Sequence, residues 1–264
     1  MTTFGRATRS AYDTAAAAWA TGPERVYRHL AEVLLRAAPT SVDGALLLDV
    51  GAGTGVVGDA AWAVGATCVE VDVAVEMLAQ RRDRPRSGVA ADGHRLPFRS
   101  ATFDMVTAAC SLSHLDEPAA MVSEARRVLR SGGVLLASAF PATPDPHPAR
   151  ACVEDVLVAH GYRRPSWYEH LRQTGERRVE TPAALAQLGR AAGFAVDVRA
   201  VAVDTGIAAP EALVDYRLGM AQHAEFLGTL DDATRRMLRA TAIACLGDAP
   251  PPLVLDLLVL VARA

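Results

Sequence analysis

The chain has 264 residues, a net charge of −3 and 51% hydrophobic residues. That balance buries a large core and excludes both a disordered chain and a polyanion binder, which needs a basic surface to displace counterions. All 27 basic residues are arginine, a coding bias without a functional reading. No apolar run has the length of a transmembrane helix and the first six residues lack the core of a secretory signal, so a cytoplasmic protein without membrane or nucleic-acid partner is expected. The four cysteines form no C-x-x-C pair, so neither a structural zinc nor a disulfide framework is expected.

In chain order, residues 8–37 carry helical periodicity with a break at Gly22-Pro23, and Val26, Leu30, Val33 and Leu34 form one apolar face. The run from Ala45 to Val50 is too short for a helix and suits a strand covered on both faces. Gly51, Gly53 and Gly55 follow on alternate positions, where the chain turns and its backbone approaches a ligand closely. Val56 to Val64 then reads as a helix stopped by Gly65, which makes strand, loop and helix N-terminus a nucleotide-type site. Gly53 to Gly58 is also a literal G-x-G-x-x-G match.

Residues 66–72 read as a second strand ending on Asp72, a carboxylate able to accept from vicinal ribose hydroxyls, with Glu70 as the alternative acid. A third short strand ends in Ala91-Asp92-Gly93, ahead of a Leu-Pro-Phe turn. The fourth spans residues 101–109, with Asp104 placed to hold backbone at its entrance. Its tip, Cys110 to Leu115, falls at the edge where ligands bind in open α/β sheets. Cys110 reads as a small buried residue and His114 as either a proton acceptor or a packing histidine. Asp116 reads as the cap of a helix with Pro118 in its first turn, and Val134 to Phe140 as the fifth strand.

Past Phe140, Pro141, Pro144, Pro146 and Pro148 form a helix-breaking loop before a helix over 150–160. Thr181-Pro182 caps a helix to Ala192, and Phe194 to Val203 alternates as a strand. Pro210 to Met220 and Asp231 to Leu246 read as helices before a last strand, Leu253 to Val261. The arginines at 81–84 and at Arg163-Arg164 read as solvated faces.

Asp49 completes the glycine loop as D-x-G-x-G-x-G, which resembles the first motif of class I S-adenosylmethionine (SAM) dependent methyltransferases. The stretch Asp72 to Leu78 and the Ala91-Asp92-Gly93 and Leu-Pro-Phe segment resemble the motifs that follow, so the resemblance covers residues 45–140. Ala74 stands where serine is common and Ser131 where proline is typical. The resemblance implies an α/β fold: a doubly wound, Rossmann-like, mostly parallel seven-stranded sheet with an antiparallel last strand and helical cap insertions. It implies SAM as cofactor, bound by Tyr12, Asp49, Gly51, Ala52, Gly53, Gly55, Asp72, Val73, Met77, Ala91, Asp92, Gly93, Ala109 and Cys110. Asp72 would take the ribose, Asp92 the adenine amine, and His114 the acceptor's proton. The Asn-Pro-Pro-Tyr of base- and glutamine-methylating enzymes is missing, and no metal-ligand spacing occurs.

The expected organisation is an N-terminal helical cap over 1–44, a SAM-binding core over 45–140, a lid over 141–180, and the rest of the sheet over 181–264 with a helical lid at about 207–250. Tyr168, His170, Tyr216, Arg217 and His223 are the lid's candidate polar groups. The expected reaction is methyl transfer to a hydroxyl of a small organic acceptor by a monomer or homodimer. The alternatives are a non-methylating step such as a cyclisation on the same fold, and a non-catalytic SAM-binding partner protein.

Overall fold

The computed structural model describes residues 2–80, 87–142 and 146–264; the arginines at 81–84 and Pro144 lie outside them. Two helices, α1 (Thr3–Thr21) and α2 (Pro23–Arg36), precede a sheet of β1 (Leu46–Val50), β2 (Thr67–Asp72), β3 (Ser87–Ala90), β4 (Phe103–Ala109), β5 (Leu129–Ala139), β6 (Ala195–Asp204) and β7 (Val254–Arg263). Its strand order is β3-β2-β1-β4-β5-β7-β6. The first five strands pair in parallel, and β7 runs antiparallel between β5 and β6. The sheet is therefore the expected Rossmann-like one, and the carboxyl ends of β1 to β6 share one edge.

Alternation along the strands splits the core into two layers. Leu47 of β1, Met105 of β4 and Leu136 of β5 face Val26, Leu30 and Leu34 of α2 and Val57 of α3 (Val56–Ala63). Leu48, Val106 and Leu135 face the opposite side, against Met121, Val122 and Ala125 of α5 (Pro118–Val128). Each such fully buried leucine contributes roughly 2 kcal/mol of burial free energy.

Three expectations change at the element level. Helix α5 starts at Pro118 after Glu117, which makes no side-chain cap bond; Asp116 instead accepts a hydrogen bond from Thr2. Strand β5 begins at Leu129, not Val134, because Gly132 at φ 76° lets the chain bulge before the register with β4 resumes at Met105 opposite Val134. Cys152 and Cys245 form a disulfide although they are 93 residues apart. The pair arises from packing: α6 (Pro148–Ala159) and α11 (Asp232–Leu246) meet through Val153, Leu157, Leu238 and Ala242. Asp104 does hold backbone, accepting from Leu46 N at 2.9 Å.

The connections from β5 to β6 and from β6 to β7 both leave from the carboxyl edge. The first carries α6, α7 (Ser166–His170) and α8 (Pro182–Ala191); the second carries α9 (Pro210–Leu218), α10 (Ala221–Gly228) and α11. Helix α10, which the sequence pattern did not separate, packs with α1. No described helix is long and apolar enough to cross a membrane.

Candidate functional site

The glycine loop leaves β1 with Gly51, Gly53 and Gly55 at φ 75°, 56° and 78°. Gly51 N and Ala52 N both donate to Val71 O, at 2.8 and 3.0 Å, tying the loop to β2. A Cβ on Gly51 would stand 2.4 Å from Ser111 Cβ, and one on Gly55 2.5 Å from Glu70 Oε1. Only glycine meets both demands. Gly55 serves as the left-handed N-cap of α3 (Val56–Ala63) and lies behind the cavity wall; the other predicted cofactor residues line the cavity itself. Asp49 is buried below the loop, where Thr107 Oγ1 donates to its Oδ1 at 2.7 Å.

Asp72 ends β2 with each carboxylate oxygen already engaged by backbone: Gly53 N donates to Oδ2 at 2.7 Å and Ala74 N to Oδ1 at 2.8 Å. Burial pushes its pKa up despite these amides. The amides orient the carboxylate, and each oxygen keeps a second lone pair for a hydroxyl. Val73, Ala74 and the buried Met77 complete this wall. Asp13 of α1 accepts from Glu76 N at 2.9 Å, docking α1 on α4 (Val75–Ala79).

Asp92 is oriented by His94, two residues along the chain. Burial raises the Asp92 pKa, but His94 more than reverses this: its amide donates to Oδ1 at 3.0 Å and its Nδ1 lies 2.6 Å away. His94 Nε2 accepts from Glu117 N at 3.3 Å, which assigns the proton to Nδ1. The D-x-H spacing was the available signal.

Cys110, at the tip of β4, has φ 52°, a left-handed conformation that costs a non-glycine residue about 1 kcal/mol or more. Ser138 holds it there, accepting from Cys110 N through Oγ and its carbonyl, both at 3.1 Å. Burial pushes the thiol up to about 11, so it stays protonated and is no nucleophile at neutral pH. His114 stands 3.3 Å from Tyr12 OH through Nε2, with the rings edge-to-face at 5.3 Å. Burial pulls the imidazole down to about 4, so it is neutral at physiological pH.

Tyr12, Tyr27, Cys110 and His114 also line a second cavity, of about 630 Å³, beneath the helices that follow β5 and β6. The two cavities thus meet at a neck built from α1, α2 and the tip of β4. Tyr168, Tyr216, Arg217 and His223 line the second cavity as well. His170 does not: its ring packs on Phe4 at 4.7 Å. His223 is bound through Nδ1 to Arg217 O at 2.9 Å and pulled down to about 4 by burial. Sequence reading missed Tyr27 and Arg150, which only the packing of separate helices brings to the cavity.

The first cavity offers buried polar partners to a ligand. Thr8 Oγ1, Thr54 Oγ1 and His114 Nδ1 are buried without a hydrogen-bond partner among the described residues, and all three residues line it. Such atoms are costly to leave unsatisfied and mark positions for ligand groups. The rings of Tyr12 and Trp19 meet at a tilt, 5.4 Å apart, as do those of Trp19 and Tyr27 at 4.9 Å, an aromatic wall suited to a cation.

Comparison with known proteins agrees with this geometry. Residues 48–137 match the family described as Methyltransferase domain. A demethylmenaquinone methyltransferase of Mycobacterium marinum is 36% identical over 129 residues, covering 49% of this chain and 54% of the relative. The chain thus spans about half the length of the curated relatives it matches. Among solved structures, the [4+2]-cyclase SpnF superposes with a TM-score of 0.54 at 21% identity, over 89% of this chain and 80% of that one. A Haemonchus contortus phosphoethanolamine N-methyltransferase in complex with SAM superposes with a TM-score of 0.53 at 20% identity, over 88% and 51% of the two chains. At these identities the structures establish the fold. Sheet order, glycine loop and matched segment agree: over residues 48–137 the chain is similar to the methyltransferase domain, on a fold of the class I SAM-dependent type.

Proposed function

We propose that the protein transfers a methyl group from SAM to a hydroxyl oxygen of a small organic acceptor. The observation that carries this reading is the neck: a cavity with a nucleotide-type wall opens onto a second one through Tyr12, Tyr27, Cys110 and His114. In this reading Asp72 accepts from the ribose hydroxyls, Asp92 from the adenine amine, and the loop Gly51 to Gly55 passes beneath the amino-acid end. Residues 1–44 cap the site, and the described residues of 141–180 together with 207–250 form the lid, which excludes water that would compete with the acceptor.

SAM, when bound, supplies a methyl group on a sulfonium, which leaves as a neutral thioether. The chain's part is to align the acceptor across the neck and to take its proton. His114 is placed for the second task. Burial keeps the ring neutral over the whole neutral range but makes it a weak base, one that serves for the strongly acidic proton of an oxygen that is taking up the methyl group, and Tyr12 OH sets the ring's orientation.

The test is to incubate the protein with SAM and a panel of phenols and alcohols, with demethylmenaquinone included because the curated relatives are named for it. Methylated product and S-adenosylhomocysteine (SAH) are followed by mass spectrometry. O-methylated product that falls at least about tenfold in His114→Ala, with SAH affinity retained, supports both the reaction and the base. Methylation at carbon only, or full turnover by His114→Ala, removes the corresponding part.

A further inference from the structure

The disulfide Cys152–Cys245 joins two insertions that the sheet topology separates. Cys152 lies on α6, in the connection from β5 to β6, and Cys245 lies near the end of α11, in the connection from β6 to β7. A hydrogen bond between the same two insertions stands at the start of α6. His147 caps that helix, its Nδ1 accepting from Ala149 N at 3.2 Å, and its Nε2 donates to Pro251 O at 2.8 Å.

The helices so fastened build one side of the second cavity. Arg150, Val153 and Glu154 of α6 line it directly. Helix α11 acts from behind, through α9, which lends Tyr216 to the lining. Arg239 of α11 donates from Nε and Nη2 to the two carboxylate oxygens of Asp215 on α9, at 2.6 and 2.9 Å. Leu238 and Ala242 of α11 also pack in one cluster with Val153, Leu157 and Val214. The first cavity is independent of this unit: the described residues that line it all lie between Gly5 and Asp116.

We propose that Cys152–Cys245 is a redox-controlled fastening of the lid. Oxidised, it holds α6 against α11 and keeps that side of the second cavity in place; reduced, it lets the two helices loosen while the cofactor wall is unchanged. Cys245 is exposed and Cys152 buried, so a dithiol reductant enters at Cys245. Its thiolate attacks the Cys245 sulfur, the S–S bond breaks, and Cys152 leaves as a thiolate that takes up a proton. The second thiol of the reductant then displaces Cys245 in the same way. Two electrons pass to the protein, and the reductant ends as a disulfide. The apolar cluster between α6, α9 and α11 keeps the two thiols near each other, so an oxidised dithiol reverses the step. The consequence for turnover rests on the second cavity being the acceptor site of the proposed methyltransferase.

The test compares the full chain as oxidised and after millimolar dithiothreitol under native conditions, with thiol labelling to follow the bond. Hydrogen exchange read by mass spectrometry in the first minutes of labelling reports the helices one by one. Reduction is expected to be reversible and to speed exchange in α6 and α11 about tenfold or more, with β1 and β4 still protected. Cys245→Ser reproduces that pattern without reductant. SAH affinity by calorimetry stays within about twofold in both forms, while formation of any methylated product falls several-fold on reduction. A bond that is absent from the oxidised protein, or that resists dithiothreitol in the native protein, overturns the proposal. So does equal exchange in both forms, a rise in β1 and β4 as large as in α6 and α11, or a parallel loss of SAH affinity. SAH that binds neither form removes the methyltransferase reading instead, and the exchange result alone then decides the fastening.

Discussion

Replacing Asp72 with asparagine separates fold from cofactor binding at the end of β2. The carboxylate accepts two backbone amides, at 2.7 and 2.8 Å. Asparagine keeps one acceptor oxygen and turns an NH2 toward the other amide, so one hydrogen bond to a charged acceptor is lost, roughly 1.5–3 kcal/mol. The same change removes a carboxylate whose pKa burial has raised, and that relief offsets much of the loss. Net destabilisation is therefore about 1 kcal/mol, a fall in Tm of about 2–4 °C for a chain of this size. Cofactor binding has no such relief. Two ribose hydroxyls lose a charged acceptor and one meets a donor, which amounts to about 3 kcal/mol or more, or about a hundredfold in Kd. Calorimetry with SAH and a thermal melt of the free protein measure the two numbers. An Asp72→Asn protein that binds SAH within about threefold of the parent would refute the ribose assignment, whatever its Tm.

Gly51→Ala places a side chain at φ 75° and 2.4 Å from Ser111 Cβ, and urea unfolding is expected to show a loss of about 1–3 kcal/mol. His114 and His223 both titrate near 4 in the folded protein, against a usual value near 6.5. The unfolded chain therefore binds more protons between these values, so stability present above pH 6.5 is lost as pH falls toward 4, at most about 3 kcal/mol per histidine. Asp72, raised above 3.8, acts in the opposite sense at the acid end, and urea midpoints at pH 7 and 4.5 give the balance. Reduction of Cys152–Cys245 opens a loop closed over 93 residues, with an expected loss of up to about 4–5 kcal/mol; thiol counting under denaturing conditions before and after reductant verifies the bond. His94→Ala removes the ring that holds Asp92 at 2.6 Å and is expected to raise the Asp92 pKa and weaken SAH binding several-fold by calorimetry.

The sequence by itself determined what depends on near neighbours in the chain. The apolar run Leu46 to Val50, the three alternate glycines and the acids at 49, 72 and 92 specify strand, loop and cofactor wall because each geometry is set within a few residues. The helix at Thr181-Pro182 was legible for the same reason: Thr181 Oγ1 accepts from Ala184 N at 3.1 Å, a bond three residues long. Only the tertiary structure decided what joins residues far apart. Tyr12 meets His114 across 102 positions, and Cys152 meets Cys245. The glycine loop accordingly names the cofactor class, while the walls of the second cavity have no local pattern, because packing between separate helices, not spacing along the chain, brings them together.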